Sequence, residues 1–202
     1  MKILITGGCG YTGSILVPHL LKSGHKITVI DTMWFGNYLK KNSGLKIIKR
    51  DIRKLNNFSF QGFDTIVHLA NIANDPSAEL NSALSWEVNV LASQQIIDNA
   101  YKQGVKHFIF ASSGSVYGIK KEKKVTEDLS CDPLTTYNKT KMVAENIFLN
   151  YKNKMQIHCI RPATVCGVSP RLRLDVSVNL LTHQAIKNKI INVHGGSQIR
   201  PN

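Results

Sequence analysis

Tyr137 and Lys141 stand four residues apart in the stretch YNKTK, residues 137–141. On a helix that spacing puts both side chains on one face. A phenol is a poor base at neutral pH, with an ordinary pKa of about 10. An ammonium held beside it favours the phenolate, which can then take the proton of a substrate hydroxyl. Alone, such a pair reads as surface helix. What lifts it is SSGSVYG at 112–118, whose second serine lies 24 residues upstream of the tyrosine and directly follows an apolar run. The hydroxyl of Ser113 can bond the reacting oxygen and stabilise charge developing on it. Ser112 and Ser115 read first as turn chemistry.

A second constellation is TGGCGYTG, residues 6–13, with Gly7, Gly10 and Gly13 in GxxGxxG spacing. An apolar run precedes it and a helical pattern comes after. Glycines there let the backbone turn tightly and approach a pyrophosphate, while the helix N-terminus faces the negative charge. Tyr11 and Thr12 complete the loop and join the three glycines as candidate cofactor contacts. Asp31 closes the second apolar run at the spacing expected for the acid that binds an adenosine ribose. A carboxylate accepts bonds from both ribose hydroxyls and repels a 2′-phosphate, so the cofactor implied is NAD rather than NADP. Beside its oxidised nicotinamide, Tyr137 can take a hydroxyl proton as hydride leaves the same carbon, and Lys141 can also hold the nicotinamide ribose.

The elements that must position these residues alternate along the chain. Apolar runs at 2–6, 26–31, 45–49, 65–70, 107–112 and 156–161 read as strands. Helical stretches lie between them at 12–22, 83–103 and 136–152. This is the pattern of an α/β fold, a doubly wound parallel (Rossmann) sheet. In the second helix Val88, Leu91, Ile96 and Val105 form a buried stripe, with Gly104 as C-cap. Val143, Ile147, Phe148 and Tyr151 share a face of the third. Ligands of such a sheet bind beyond the carboxyl ends of its strands, which is where Ser113 falls. After Arg161 the texture changes to a Gly/Pro/Arg loop, a helix near 176–189 and a strand-like IINVH at 190–194. Residues 1–165 therefore read as the NAD-binding domain, and 166–202 as the beginning of a small, truncated C-terminal substrate lobe.

Composition narrows the partners. The 202 residues are 43% hydrophobic and 19% charged, enough for one substantial core. The net charge of +13 suits phosphate-bearing ligands. The basic run KKEKK at 120–124 has no aromatics interleaved for base stacking, so nucleic acid is not expected. No apolar run approaches the ~20 residues of a membrane helix, and Met1-Lys2 leads straight into a strand pattern, which reads as a cytoplasmic protein. Cys9, Cys131, Cys159 and Cys166 lack metal-ligand spacing, so free thiols and no metal site are expected.

The GxxGxxG form resembles the extended short-chain dehydrogenase/reductase family, the NAD-dependent nucleotide-sugar epimerases and dehydratases, and the resemblance runs nearly end to end. RDI at 50–52 resembles the family's segment at the adenine ring, making Asp51 and Ile52 contacts. HLAN at 68–71 resembles the strand end lining the cofactor through Leu69, Ala70 and Asn71, where Asn71 departs from the usual alanine. WEVNVLAS at 86–93 carries the family's asparagine, Asn89, either a helix group bonding a neighbouring segment or a catalytic one. The resemblance makes Ser113 the catalytic hydroxyl and Ser112 its strand-end neighbour at the cofactor.

Family members that eliminate water across C5 and C6 of the sugar carry an Asp-Glu pair where this chain has Gly114 and Ser115. Glycine cannot ionise and an unactivated serine is a poor acid or base. The expectation therefore moves from dehydration to C4 epimerisation through a 4-keto sugar, with Ser113 and Ser115 on the substrate side. RPATVCG at 161–167 resembles the segment that packs on the nicotinamide amide through Pro162 and Val165, with Cys166, read as a buried spacer, in place of tyrosine. Asn179 and Arg200 fall where the family grips the nucleotide diphosphate. The resemblance thus implies a nucleoside-diphosphate sugar as substrate and a homodimer through the helices at 83–103 and 136–152. A dehydratase, reductase or decarboxylase of the same family, or a non-catalytic NAD-binding scaffold, are the alternatives.

Overall fold

The structure, a computed structural model, describes residues 1–193. Arg200 lies outside the described residues. Six strands form one parallel sheet: β1 (Lys2–Thr6), β2 (Lys26–Asp31), β3 (Leu45–Lys49), β4 (Thr65–His68), β5 (His107–Ala111) and β6 (Gln156–Ile160), in the order β3-β2-β1-β4-β5-β6. The order reverses between β1 and β4, the point at which a sheet of this kind has its ligand crevice, beyond the carboxyl ends of the strands. Thr6 pairs with Ile30 on one side and His68 on the other. The glycine loop after β1 thus enters the crevice between the ends of its two neighbours.

The central strands are apolar on both faces because helices cover both. Leu4, Ile30, Ile66, Phe108 and Phe110 face one core with Ile96, Ile97 and Phe148. Ile3, Ile5, Val29 and Val67 face the other with Val17. The helices are α1 (Gly13–Lys22), α2 (Asp75–Leu80), α3 (Ser82–Trp86), α4 (Ala92–Lys102), α5 (Thr136–Leu149) and α6 (Ser177–Asn188). Gly104, at φ +82°, ends α4 as expected: its N–H and that of Val105 bond Tyr101 and Ala100. Among the described residues no helix is long and apolar enough to cross a membrane, and the four cysteines are free thiols.

Three sequence expectations are corrected. Leu91 is 55% exposed rather than in the buried stripe. Residues Glu87–Leu91 form a π-helical turn, and its extra residue rotates the next turn of helix, so that Val90 and Ala92 take the inner positions instead. Residues 190–193 form no strand, and Ile190, Ile191 and Val193 are exposed. Cys166 is exposed, because the chain beyond β6 leaves the sheet.

His68 lies at the centre of the core. Its Nδ1 meets Thr6 Oγ1 at 2.6 Å and its Nε2 meets Ser93 Oγ at 2.8 Å. Phe108, Phe110 and Phe148 surround the ring. Burial, aided by the charge of Lys141, pushes its pKa down to about 3. An unfolded chain binds this proton below the ordinary value of about 6.5, and the folded one does not until about 3. Stability is therefore expected to fall as pH falls through that window, by about 1.4 kcal/mol per pH unit from this group at most. Urea unfolding at pH 7 and pH 5 checks it: His68→Gln should show a shallower pH dependence than the parent, and equal slopes would refute the assignment.

Candidate active site and cofactor crevice

The glycine loop is built for close approach. Gly7 has φ +74°, and a Cβ on it would lie 2.6 Å from the Ala70 nitrogen. A Cβ on Gly13 would lie 2.4 Å from the Gly8 carbonyl oxygen. The turn therefore seats directly on the end of β4, and α1 begins at Gly13 with its first N–H groups toward the crevice. Asp31 fixes this geometry from β2. Its carboxylate accepts the Cys9 N–H at 2.9 Å and the Met33 N–H at 2.7 Å. Leu69 and Ala70 donate their N–H groups to Thr6, so the wall of the crevice continues from β1 into the HLAN turn. Asn71 bonds the Leu69 carbonyl through Nδ2, while its buried Oδ1 has no partner among the described residues. A glycine cradle with an orphaned buried acceptor beside it fits a dinucleotide. Gly7, Gly10, Tyr11, Thr12, Gly13, Asp31, Leu69, Ala70 and Asn71, the residues expected from sequence to hold one, lie on this loop and the strand ends beside it. Asp51 and Ile52 follow β3. Asp51 is held by Arg53, whose bonds keep its carboxyl below the ordinary range.

The groups that the sequence singles out for chemistry converge at the end of β5. The Ser112 N–H bonds the Ile160 carbonyl at 2.8 Å, and the Gly114 N–H bonds the Pro162 carbonyl at 2.8 Å, so the serine turn is clipped to the chain leaving β6. Ser113 caps a short 3-10 turn, Gly114–Tyr117. A Cβ at Gly114 would come within 3.2 Å of the Pro162 oxygen, which favours a residue without a side chain. From the facing α5, capped by Thr135, come Tyr137 and Lys141. The Lys141 ammonium donates to the Ala111 carbonyl at 2.7 Å and sits 4.6 Å from the Phe110 ring and 5.7 Å from the Tyr137 ring.

Burial pushes Lys141 down to about 7, against the opposing pull of Glu145. Burial also raises the Tyr137 phenol, while the positive charge of Arg173 acts the other way. Glu145, one turn beyond Lys141, is itself buried. It accepts from Ser112 Oγ and from Arg161, at 2.7 Å from Nη2. Arg161 also donates to Tyr117 Oη at 2.8 Å.

Asn89 is resolved between its two readings. Its Oδ1 accepts the Ile72 N–H at 2.7 Å, and its Nδ2 donates to the Ile72 carbonyl and to Thr140 Oγ1. It is a clamp between the HLAN turn and α5. Residues 166–179 fold back over the glycine loop. Tyr11 Oη donates to the Gly167 carbonyl at 2.7 Å, and Ser14 Oγ meets Ser169 Oγ at 2.8 Å. Asn179 gives Oδ1 to the Gly167 N–H and Nδ2 to Tyr11 Oη and the Arg173 carbonyl. Val165 is exposed.

The family model described as NAD dependent epimerase/dehydratase family matches residues 3–201. The chain belongs to that family. Among NAD dependent epimerase/dehydratase relatives, the UDP-glucose 4-epimerase of Corynebacterium glutamicum is 30% identical over 155 residues, 75% of this chain and 46% of that one. YtcB of Bacillus subtilis, described as an uncharacterized UDP-glucose epimerase, is 33% identical over 213 residues, 98% of this chain and 66% of that protein. The UDP-glucuronic acid 4-epimerase of Bacillus cereus, solved with UDP-glucuronic acid and NAD, superposes with a TM-score of 0.83 at 32% identity, over 96% of this chain and 66% of that one. The chain thus spans about half to two thirds of the length of these proteins.

Sequence reasoning missed Asn138, Glu145 and Arg173, which the fold brings beside Ser113, Tyr137 and Lys141. Asn138 and Glu145 are buried polar residues of α5 at positions that periodicity assigns no special role. Arg173 stands in the Gly/Pro/Arg loop after β6, and its pairing with Asp175 at 2.6 Å near Tyr137 emerges only from the fold.

Proposed function

We propose that the chain is the cofactor-binding and catalytic part of an NAD-dependent UDP-sugar 4-epimerase. The observation that carries this reading is the convergence of Ser113, Tyr137 and Lys141 at the carboxyl end of β5, on the wall of the glycine crevice, with Gly114 and Ser115 offering no carboxylate for elimination. NAD, when bound, supplies a reversible acceptor of hydride from C4 of the sugar. Tyr137 takes the C4 hydroxyl proton and returns it after the 4-keto sugar has turned its other face. Lys141 stands beside the phenol as the cation that favours its ionised form, and Ser113 bonds the reacting oxygen. The C. glutamicum and B. cereus relatives, named as UDP-sugar 4-epimerases, support UDP as the nucleotide.

Mixing the protein with NAD and UDP-, GDP-, dTDP- and CDP-sugars and following the products by NMR tests the reading. Interconversion of C4 epimers of a UDP-sugar is expected. NAD binding without interconversion would leave a scaffold, and a 4-keto-6-deoxy product would move the assignment to dehydration. Pairing of two copies through α4 and α5 belongs to the same proposal, and light scattering on the same sample reads it.

A further inference from the structure

Asn71 breaks a rule that its surroundings keep. Among the described residues its Oδ1 is the one buried side-chain oxygen or nitrogen without a hydrogen-bond partner. Such an acceptor costs the free protein stability unless something supplies a donor. The amide cannot escape by turning over. Its Nδ2 donates to the Leu69 carbonyl at 3.0 Å, and a flip would set two oxygens against each other. The residues on either side fix where it stands. Before it, Ala70 abuts the glycine turn so closely that a Cβ on Gly7 would lie 2.7 Å from the Ala70 Cα. After it, both backbone polar groups of Ile72 are held by Asn89, whose Nδ2 also donates to Thr140 Oγ1 at 3.0 Å. Thr140 lies on α5 between Tyr137 and Lys141 and bonds the Tyr137 carbonyl at 2.8 Å. Asn71 therefore stands between the glycine turn and the helix that carries the phenol and the ammonium.

An amide oxygen only accepts, so its partner must bring an O–H or N–H. NAD, the cofactor of this family, has few donors to offer at this point. Its pyrophosphate carries acceptors alone, and its adenosine ribose belongs with Asp31 at the end of β2, on the other side of β1 from β4. Its carboxamide is expected beside the chain leaving β6 at Pro162. What remains between the glycine turn and α5 is the second ribose. We propose that Asn71 Oδ1 accepts a hydrogen bond from a hydroxyl of the nicotinamide ribose and so holds the nicotinamide half of the cofactor beside Tyr137. The acceptor is then met only in the loaded protein. Asn71 gives up stability in the free chain and returns it as affinity in the complex. This inference rests on the family's use of NAD, and not on which sugar reaction follows.

Asn71→Ala removes the acceptor and little else. In fluorescence titrations of the full chain it is expected to weaken NAD roughly tenfold, the loss of one hydrogen bond to a buried acceptor. ADP-ribose, which keeps the second ribose and lacks the nicotinamide, should lose the same factor. ADP, which lacks both, should bind variant and parent alike. Without NAD the variant should melt no lower than the parent, since it no longer buries an unmet acceptor, while the rise in Tm on adding NAD should shrink. Equal NAD affinity in variant and parent overturns the proposal. So does an equal loss for ADP, or a variant that melts several degrees lower without NAD, either of which would give Asn71 a purely structural role. A loss for NAD with none for ADP-ribose overturns the ribose assignment and moves the bond to the carboxamide. If the parent binds NAD but interconverts no sugar, the epimerase reading fails, and these affinities still decide the role of Asn71.

Discussion

Tyr137→Phe is expected to slow interconversion of the UDP-sugar by a factor of about 10²–10⁴, the range for removing a positioned acid or base, while NAD affinity changes little. The change deletes one oxygen. The ring packs against the main core with Ile147 and Tyr151, and phenylalanine keeps that packing. Lys141 keeps its bond to the Ala111 carbonyl and its place over Phe110. What disappears is the group that accepts the hydroxyl proton. Because burial raises the phenol, activity of the parent should climb as pH rises toward the tyrosine's apparent pKa. The residual rate of the variant should lack that limb. Initial rates by NMR across pH 6–10, with cofactor affinity from fluorescence titration, separate the two effects. A variant with parental rates would remove Tyr137 from the chemistry, and a variant that lost NAD together with activity would make it a binding residue.

How much of this could be read from residues alone differs by element. Strands β1, β2 and β3 have the bounds expected, since short apolar runs ending in Thr, Asp or Lys mark buried strands bounded by turns. The glycine loop and Asp31 were legible because their spacing carries a geometric requirement. The six-residue α2 was not, being too short to show a period. The π turn at 87–91 was hidden because a reading at 3.6 residues per turn has no place for an added residue. Leu91 reads as inward in sequence for that reason. Asn138 and Glu145 look like solvated helix positions in sequence. They are buried because the serine turn and the end of β6 close over α5, and such contacts between distant segments leave no periodic trace. The ties from Tyr11 to Gly167 and Asn179 are of the same kind. They join residues more than 150 apart in the chain, so the loop after β6 could be noticed in sequence but not placed.

Glu145→Leu tests the least legible of these residues. The side chain is 2% exposed and carries two bonds to Arg161 Nε, one to Nη2 and one from Ser112. A buried ion pair gains little over an apolar pair, but losing one partner strands the other charge, at a cost of about 3–5 kcal/mol. For a chain of this size, that corresponds to a fall in Tm on the order of 10 °C. Arg161→Leu strands the more buried of the two charges, but a carboxylate that Lys141 still faces, so a loss of similar size is expected. In the double variant the two losses should not add. With both charges gone, most of the penalty disappears, and a coupling of at least about 2 kcal/mol is expected.

The effect should also reach the chemistry. Glu145 is the charge that opposes the burial of Lys141, whose pKa already stands at about 7. Without that carboxylate the lysine gives up its proton at lower pH, and the phenolate loses its nearby cation at neutral pH. Glu145→Gln keeps the shape and removes the charge. It should therefore lower kcat near pH 7 more than at pH 6, where the lysine is still protonated. Additive losses in the double variant, or a Glu145→Gln rate that falls equally at both pH values, would confine Glu145 to a structural role.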